Sequence, residues 1–250
     1  MSAAQSSGAE QGSGAAVKFP GHSLSVFFPM FNEEENVAET ARRALAVLPA
    51  LVPEFEVILV DDGSRDRTGA IADELAAHDA RVRAVHHALN RGYGASLKSG
   101  LAAARHELVF FTDGDLQFDL GELELLLRAL AGADVVAGYR IDRQDPLGRK
   151  LNGILWTRLV RLVLGLRIRD VNCAFKLFRR SALARIAPLE AEGAMLSAEL
   201  MTKLQRSGAR LVEVGVHHFP RPHGQQTGAK PGVILKAFRE LLALRKKLAQ

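Results

Sequence analysis

Two aspartates separated by a single glycine form the pattern in this sequence that points most directly to chemistry. Asp113, Gly114 and Asp115 follow an apolar run at 108–111. Side chains two residues apart in an extended chain point the same way, so both carboxylates should project together. Because adjacent carboxylates repel unless a cation lies between them, the pair predicts a Mg²⁺ or Mn²⁺ site. A polar turn after a strand is the alternative, since Asp and Gly are common turn residues.

The segments around this pair alternate between strand-like and helical patterns. Strand-like apolar runs lie at 24–28, 56–60, 82–86, 108–112 and 134–138, and helical patterns at 33–48, 68–78, 95–105 and 121–130. The series continues with a helix near 147–164, a strand near 174–178, a helix near 196–207, a strand near 211–217 and an amphipathic helix at 233–248. The alternation predicts a single α/β domain with a mostly parallel sheet and helices on both faces.

Polar residues follow five successive predicted strands, at 29–35, 61–66, 90–94, 113–117 and 139–140. Ligands bind outside the carboxyl ends of the strands in such sheets, so we expect these loops to converge on one site. Each loop alone could be a turn or a helix cap. The sequence has no P-loop motif, and Gly92 and Gly94 lack the third glycine of a dinucleotide-binding loop.

Composition limits the class of protein. The 250-residue chain has a net charge of +5 and one cysteine, Cys173, which excludes an internal disulfide. Residues 1–16 are rich in Ser, Gly, Ala and Gln, and we expect residues 1–21 to form a disordered tail. Residues 22–230 should form the folded domain and residues 231–250 a basic amphipathic helix. Without a signal peptide or an apolar stretch of roughly 18 residues, the protein is expected in the cytoplasm.

Several segments together resemble the family 2 glycosyltransferases. They are residues 28–36, 60–64, 90–94, 113–117, 138–140 and 170–179, with the sequences FPMFNEEEN, VDDGS, NRGYG, DGDLQ, GYR and DVNCAFKLFR. The match covers roughly residues 22–230 and looks most like the dolichyl-phosphate mannose synthase branch. The resemblance implies a GT-A fold and inverting transfer of a sugar from a UDP- or GDP-linked donor, with no nucleic-acid partner.

Carried over residue by residue, the resemblance implies three groups of side chains around the donor. Contacts to the nucleoside would come from Pro29, Phe31, Glu33 and Asp61 or Asp62. The metal and diphosphate site would comprise Asp113 and Asp115, with Gln117 beside them. Phosphate-binding cations would be Arg140, Arg149 and Arg221. Arg221 lies where the family has a mobile basic loop, in a stretch at 217–228 that departs from the usual mannose-synthase version.

The acceptor decides whether a catalytic base is needed. A lipid phosphate, such as a polyprenyl phosphate at the membrane face, is already ionised, whereas a soluble hydroxyl acceptor needs a carboxylate to take its proton. Glu199 resembles the position of the family's base, and the alternative is a solvent-facing helix glutamate. Asp170 is a second candidate base; its alternative is a turn residue that pairs Arg169 or Arg179.

A lipid acceptor is favoured by the C-terminal helix and by the predicted helix near 151–164. Its apolar residues, which lie beside Arg158 and Arg161, are Ile154, Leu155, Trp156, Leu159, Leu162 and Val163. Such a helix could rest in a bilayer interface, which would place the protein peripherally at the inner membrane face. Packing of the same residues on the protein's own core is the alternative.

Two further functions stay open from the residues. A sugar-nucleotide nucleotidyltransferase would share the sheet and an acidic metal site, but its usual Gly-rich basic loop is missing after the first predicted strand. A non-catalytic binding module would result if the acidic pair had lost its metal. Metal-dependent binding of a nucleoside diphosphate would separate the transferase from both alternatives.

Overall fold

A seven-stranded sheet forms the centre of the computed structural model, which describes residues 17–141, 147–186, 188–191, 193, 195–224 and 231–248, apart from the side chains of 147–151 and 231–236. The strands are β1 (Ser23–Met30), β2 (Glu54–Asp61), β3 (Val82–His86), β4 (Leu108–Thr112), β5 (Val135–Ile141), β6 (Phe175–Arg179) and β7 (Leu211–His217). The helices are α1 (Val37–Leu51), α2 (Thr68–His78), α3 (Tyr93–Ala103), α4 (Leu123–Ala129), α5 (Leu147–Leu164), α6 (Arg180–Ala184), α7 (Met195–Arg206) and α8 (Pro231–Leu248).

One strand of the sheet runs against its neighbours. The order is β3-β2-β1-β4-β6-β5-β7, and β6 is antiparallel to both β4 and β5, whereas the other pairs are parallel. Thr112 at the end of β4 therefore lies opposite Phe175 at the start of β6. The residues that precede β6 thus lie at the same edge of the sheet as those that follow β1, β2, β4, β5 and β7.

This architecture confirms the predicted α/β fold with a mostly parallel sheet. The predicted start of the first helix at residue 33 is wrong, because α1 begins at Val37. The backbone N–H of Glu33 donates to Thr68 Oγ1 at 2.8 Å, and that of Glu34 donates to Asp66 Oδ2 at 3.1 Å. Residues 33–36 therefore tie the segment after β1 to the start of α2 instead of extending the helix.

Buried aromatic rings hold the middle strands together. Phe27 of β1 stacks on Phe111 of β4 with ring centroids 5.4 Å apart, and Phe110 meets Phe175 of β6 edge to face at 4.7 Å. Helix α3 packs closely on this layer, since a Cβ on Gly100 would lie 2.2 Å from Phe27 Cδ2. Aromatic pairs of this kind stabilise a core beyond the area that they bury. The strand ends that carry the polar loops therefore start from a rigid base.

The folded part of the chain begins before residue 22. The backbone N–H groups of Lys18 and Phe19 donate to the carbonyl oxygens of residues 50 and 51 at 3.1 and 2.8 Å, so residues 17–21 contact the end of α1. The remainder of the predicted tail, residues 1–16, lies outside the described residues. None of the helices in the described part of the chain is long and apolar enough to cross a bilayer.

Candidate active site

Asp113 and Asp115 lie on the loop that leaves β4 in the middle of the sheet. Tyr93, the first residue of α3, donates its hydroxyl proton to Asp113 Oδ1 over 3.0 Å. Asp115 accepts the backbone N–H of Gln117 at 3.2 Å. Leu116, between Asp115 and Gln117, has φ 61°, a left-handed conformation that is uncommon for a bulky residue. The loop is therefore held in one tight conformation that fixes both carboxylates.

The acidic pair is electrostatically unfavourable when both members are ionised. Burial and the charge of Asp115 raise the pKa of Asp113 to about 7. Burial also raises the pKa of Asp115, against the hydrogen bond from Gln117 and the charge of Arg221. A cation bound between the two carboxylates would remove this penalty, because it favours the ionised form of both.

A hard divalent cation fits this donor set. Carboxylate oxygens suit Mg²⁺ and Mn²⁺, and Mg²⁺ usually keeps several positions for water or phosphate oxygens. Among the described residues, no group of three or more His, Cys, Asp or Glu side chains is placed to hold an ion. The chain would thus supply the two carboxylates, and a bound phosphate group and water would supply the remaining ligands.

The sheet opens next to the acidic pair. Pairing of β1 with β4 ends at Phe27, whereas its pairing with β2 continues to Met30. Pro29, a predicted nucleoside contact, is buried in this last part of β1, where its missing N–H removes no bond to β4. A Cβ on Gly114 would lie 2.7 Å from Met30 Cε, so glycine allows the Asp113 loop to approach β1. The acidic pair therefore lies beside the point where β1 and β4 separate.

The segments after β1 and β2 are locked to each other at this edge. Asn32 donates its backbone N–H to Ser64 Oγ at 2.9 Å, and its Oδ1 accepts the N–H of Arg65 at 2.9 Å. Asp61 Oδ1 accepts the N–H of Ser64 at 3.0 Å. Phe31 beside them is 40% exposed. An exposed ring next to a carboxylate is an arrangement that can stack on a base and hydrogen-bond to its edge.

Asp62 instead holds the next loop of the edge. Its carboxylate accepts the backbone N–H groups of Arg91 and Gly92 at 2.9 and 2.8 Å, and lies 2.5 Å from His87 Nδ1. The side chains of Asp62 and His87 are both 4% exposed, and His87 Nε2 lies 2.8 Å from Ser99 Oγ. Asp62 therefore anchors the 90–94 loop, whereas Asp61 is engaged by Ser64 and His86.

A segment after β7 crosses the site. Gln117 and Phe219 exchange two hydrogen bonds, Nε2 to backbone O at 2.9 Å and backbone N to backbone O at 2.8 Å. Arg221 forms an ion pair with Glu33, and its Nη1 lies 3.8 Å from Asp115 Oδ2. Burial raises the pKa of Glu33, although its hydrogen bonds and the charge of Arg221 oppose the shift. The predicted loop thus reaches the acidic pair through Arg221; its residues 225–228 lie outside the described part.

Arg140 and Asp170 form a paired group at the same edge. Arg140 Nε and Nη2 donate to the two carboxylate oxygens of Asp170 at 2.6 and 3.0 Å, and the side chains are 14% and 12% exposed. Among the described residues, Asp170 therefore pairs with Arg140 and not, as the turn interpretation expected, with Arg169 or Arg179. The side chain of Arg149, the other predicted cation of this region, lies outside the described residues.

Glu199 is buried in α7 and is not the solvent-facing glutamate of the alternative interpretation. Its exposure is 1%, and its carboxylate accepts the backbone N–H groups of Glu190 and Ala191 at distances of 3.0 and 2.7 Å. Lys203, one turn further along the helix, pairs with it at 2.6 Å. Both oxygens thus hold the 188–191 segment against α7, and the role of Glu199 as a base stays a prediction.

Sequence reasoning missed four side chains that shape this edge: Tyr93, His86, His87 and Lys176. His86 ends β3 and His87 follows it, beside the loop of Asp61 and Asp62, and His86 lies 3.3 Å from Asp61 Oδ2. Their position at the end of a strand was a usable signal. Lys176 could have been found as the one charge within the apolar run Phe175–Phe178, since a lysine there must be buried together with its neighbours.

An open α/β sheet with an acidic pair at the end of a central strand defines the class, a GT-A fold. A glucosyl-3-phosphoglycerate synthase from Mycobacterium tuberculosis, solved with Mn²⁺ and UDP-glucose, superposes with a TM-score of 0.67 at 22% identity, over 90% of this chain and 80% of that one. The model of glycosyl transferase family 2 matches residues 25–187, and the chain belongs to this family.

Two relatives from other organisms match most of the chain. An undecaprenyl-phosphate 4-deoxy-4-formamido-L-arabinose transferase from Pseudomonas fluorescens (strain SBW25) is 34% identical over 212 residues, which cover 83% of this chain and 60% of the relative. The glycosyltransferase AglD from Haloferax volcanii is 33% identical over 216 residues, which cover 83% of this chain and 35% of that protein. The chain therefore spans less than two thirds of either relative.

Proposed function

We propose that this protein transfers a sugar, with inversion, from a nucleoside diphosphate sugar to a polyprenyl phosphate. The observation that carries the proposal is the convergence of Asp113 and Asp115 with Arg140 and Arg221, whose charges act on the acidic pair. Membership of glycosyl transferase family 2 supports the reaction type. The resemblance of segments 28–36, 113–117 and 170–179 favours the dolichyl-phosphate mannose synthase-like branch.

The donor would lie along the edge from β2 to β4. Phe31 would stack on the base, with Asp61 or Asp62, Glu33 and Pro29 around the nucleoside. The diphosphate would then reach Asp113 and Asp115, which would hold Mg²⁺ or Mn²⁺; such an ion, when bound, neutralises negative charge on the leaving group.

Arginines supply the fixed positive charge of the site. Arg140 and Arg221 carry donors into a partly buried edge, with side chains that are each 14% exposed, where their interaction with phosphate is stronger than in water. In the proposed step an oxygen of the acceptor attacks the anomeric carbon as its bond to the diphosphate breaks, and the nucleoside diphosphate leaves with the bonding electrons.

A phosphate acceptor suits the state of the candidate bases. The carboxylate oxygens of Glu199 and Asp170 already accept hydrogen bonds from backbone N–H groups and from Arg140, respectively. An ionised phosphate brings its own nucleophilic charge and needs no proton acceptor. The name of the Pseudomonas relative, an undecaprenyl-phosphate sugar transferase, supports the same acceptor class.

A lipid acceptor implies contact with a membrane, and α5 offers a surface for it. Trp156, Leu159 and Val163 pack against the core, whereas Ile154, Leu155 and Leu162 are exposed. The exposed residues share one helix face with Arg158 and Arg161. A face of this composition suits the boundary between head groups and acyl chains. We therefore place the protein in the cytoplasm, peripherally at the inner membrane face.

The decisive experiment combines a donor screen with a defined acceptor. UDP-, GDP- and TDP-sugars are incubated with undecaprenyl phosphate in detergent, with and without Mn²⁺, and lipid-linked sugar is measured. Transfer should require the metal. Asp115→Asn should lower it by about 100-fold or more, the scale on which preorganised electrostatic groups act. Asp119→Asn changes an exposed carboxylate four residues further on and should leave transfer unchanged.

Other outcomes would assign the protein elsewhere. Release of pyrophosphate from a nucleoside triphosphate and a sugar phosphate would identify a nucleotidyltransferase. Transfer to a soluble hydroxyl acceptor but not to the lipid would overturn the acceptor while leaving the reaction type intact. Binding of nucleoside diphosphate without any transfer would indicate a binding module.

A further inference from the structure

Lys176 is a fully buried lysine in the middle of the sheet. It lies on β6, opposite Phe111 of β4 and Ala137 of β5, and its exposure is 0%. Burial lowers the pKa of Lys176, because the ammonium form loses its water. An apolar side chain of similar volume would avoid the desolvation of a buried charge. The contacts of the ammonium group therefore indicate what Lys176 contributes.

The ammonium group of Lys176 holds the loop that precedes β6. Its Nζ donates to the carbonyl oxygen of Val171 at 3.3 Å and to that of Cys173. It also lies 5.6 Å from the centroid of the Phe111 ring, within cation–π distance. Ser197 Oγ of α7 donates to the same Val171 oxygen at 3.1 Å. The loop is thus fixed both from inside the sheet and from α7.

The same loop carries Asp170, which holds Arg140. The two hydrogen bonds from Arg140, at 2.6 and 3.0 Å, fix the plane of the guanidinium group as well as its position. The backbone N–H of Asn172 donates to Asp170 Oδ1 at 3.3 Å, so the carboxylate is tied to its own loop. A shift of residues 170–173 would therefore be transmitted to Arg140.

We propose that Lys176 is a positioning residue that sets the orientation of Arg140 through the 170–173 loop. The inference rests on the proposed function, in which Arg140 meets the donor diphosphate or the acceptor phosphate. A guanidinium group binds phosphate through a rigid fork of N–H groups, so its plane decides whether two bonds or one can form. Lys176 lies in the sheet below the edge and acts through Asp170, without touching the substrate.

Turnover is the first test. Lys176→Met keeps the length of the side chain but removes the donors, and it should lower kcat by up to about 100-fold, the cost of a misplacement of about 1 Å at a reacting group. Lys176→Arg keeps charge and donors and should recover part of the loss. Lys246→Met, at an exposed position of α8, is the matched control and should behave as the wild type.

A double variant separates positioning from a general loss of structure. If Lys176 acts through Asp170, the loss in Lys176→Met/Asp170→Asn should be close to that of Asp170→Asn alone, because the two residues lie in one chain of contacts. If the loss of turnover in the double variant equals the product of the losses in the two single variants, Lys176 acts independently of Asp170 and the proposal is overturned. Should Lys176→Met fail to give a cooperative thermal transition, Lys176→Leu, which also removes the donors, takes its place in both tests.

Binding of inorganic diphosphate with Mn²⁺ tests the inference apart from turnover. Calorimetry should show weaker binding to Lys176→Met than to the wild type, whatever sugar or base the enzyme uses. If the wild type binds but transfers no sugar, and Lys176→Met weakens binding only while Asp170 is present, the role of Lys176 holds while the proposed function falls. Equal affinity and equal turnover in the wild type and Lys176→Met overturn only the role of Lys176. A wild type that binds no diphosphate overturns both this role and the proposed function.

Discussion

The phenol of Tyr93 is the contact that fixes one oxygen of Asp113. Its hydroxyl lies 3.0 Å from Asp113 Oδ1, and α3 carries it to the edge of the sheet. In the proposed site, the other oxygen of Asp113 would meet the cation. A phenol that donates to a carboxylate also favours the ionised form that a metal requires. Tyr93 would therefore belong to the proposed metal site, although it is not one of the proposed ligands.

Replacement of Tyr93 by phenylalanine should weaken metal binding. The ring remains and the hydroxyl is lost, so Asp113 gives up a hydrogen bond of the charged class, which contributes about 1.5–3 kcal/mol. We expect Mn²⁺ affinity to fall by roughly 10-fold, measured by calorimetry in the presence of inorganic diphosphate. Tyr139→Phe is the control, because Tyr139 stacks beneath Arg169 through its ring. Unchanged Mn²⁺ affinity in Tyr93→Phe would argue against this role.

His86 gives the folded state a pH-dependent contribution. Burial lowers the pKa of His86, but its hydrogen bonds to Asp73 and Asp61 outweigh burial and raise the pKa above the ordinary value of 6.5. The protonated form is therefore favoured in the folded protein. Its stabilisation is fully present below the unfolded pKa and is lost as pH rises through the folded pKa.

Urea unfolding of the wild type and His86→Gln at several pH values tests this linkage. The difference in unfolding free energy should be largest near about pH 5.5 and should narrow as pH rises towards about 8.5, since the charged form of His86 is lost over this range. A difference that is constant or widens with pH would contradict the assignment. The side chain of His86 is 38% exposed, so solvent screening keeps the effect small.

At the scale of elements, the approach of α3 to β1 sets where Tyr93 stands. Gly100 faces Phe27, and a Cβ there would lie 2.2 Å from Cδ2 of the ring. Gly100→Ala should therefore push α3 away from the sheet and lower the unfolding free energy by about 1–3 kcal/mol, the usual cost of overpacking a core. Chemical denaturation measures the change.

Gly132→Ala provides the comparison for this prediction, because nothing lies within 4 Å of a Cβ at that position. It should leave stability almost unchanged. Mn²⁺ binding should fall in Gly100→Ala as well, since α3 carries the partner of Asp113. Equal stability of the two variants would mean that Phe27 turns aside without moving the helix.

The strand ends of the fold could be predicted from the sequence, but the long-range pairing could not. Apolar runs followed by Asp and Gly placed Asp61 and Asp113 correctly at the ends of β2 and β4. The antiparallel insertion of β6 between β4 and β5 depends on contacts between distant segments. This insertion of β6 decides which residue Asp170 contacts. From the sequence, Asp170 could be a base or a turn residue; in the structure, it binds Arg140.

Glu199 on α7 is a second residue whose partners could not be predicted from the sequence. Glu199 lies on a helix whose sequence says little about which segment covers it. The fold brings the backbone N–H groups of residues 190 and 191 onto its carboxylate, and no local pattern encodes that contact. Residue types and strand ends therefore indicated where the site is. The partners of its charged groups had to come from the structure.

At the scale of the whole molecule, one segment of the chain is rich in positive charge. Residues 147–169 contain six basic residues and no acidic one. Arg158, Arg161 and Arg167 line an open cleft of about 390 Å³ at the end of α5. Leu162 beside them is 84% exposed. Such a surface combines attraction to anionic head groups with apolar side chains that can enter the interface.

The double variant Arg158→Glu/Arg161→Glu should abolish most binding to vesicles that contain anionic lipid. Each arginine near such a surface contributes about 1 kcal/mol, and the glutamates add repulsion, so the partition coefficient should fall by roughly 30-fold or more at about 0.1 M salt. Flotation of the protein with vesicles measures this partition coefficient.

The control variant Arg42→Glu/Arg43→Glu makes the same change of net charge on exposed residues of α1, which lies elsewhere on the chain. If both variants lose vesicle binding equally, net charge and not the α5 face directs the protein to the membrane. If the wild type stays in solution with and without vesicles, the proposed membrane contact is refuted.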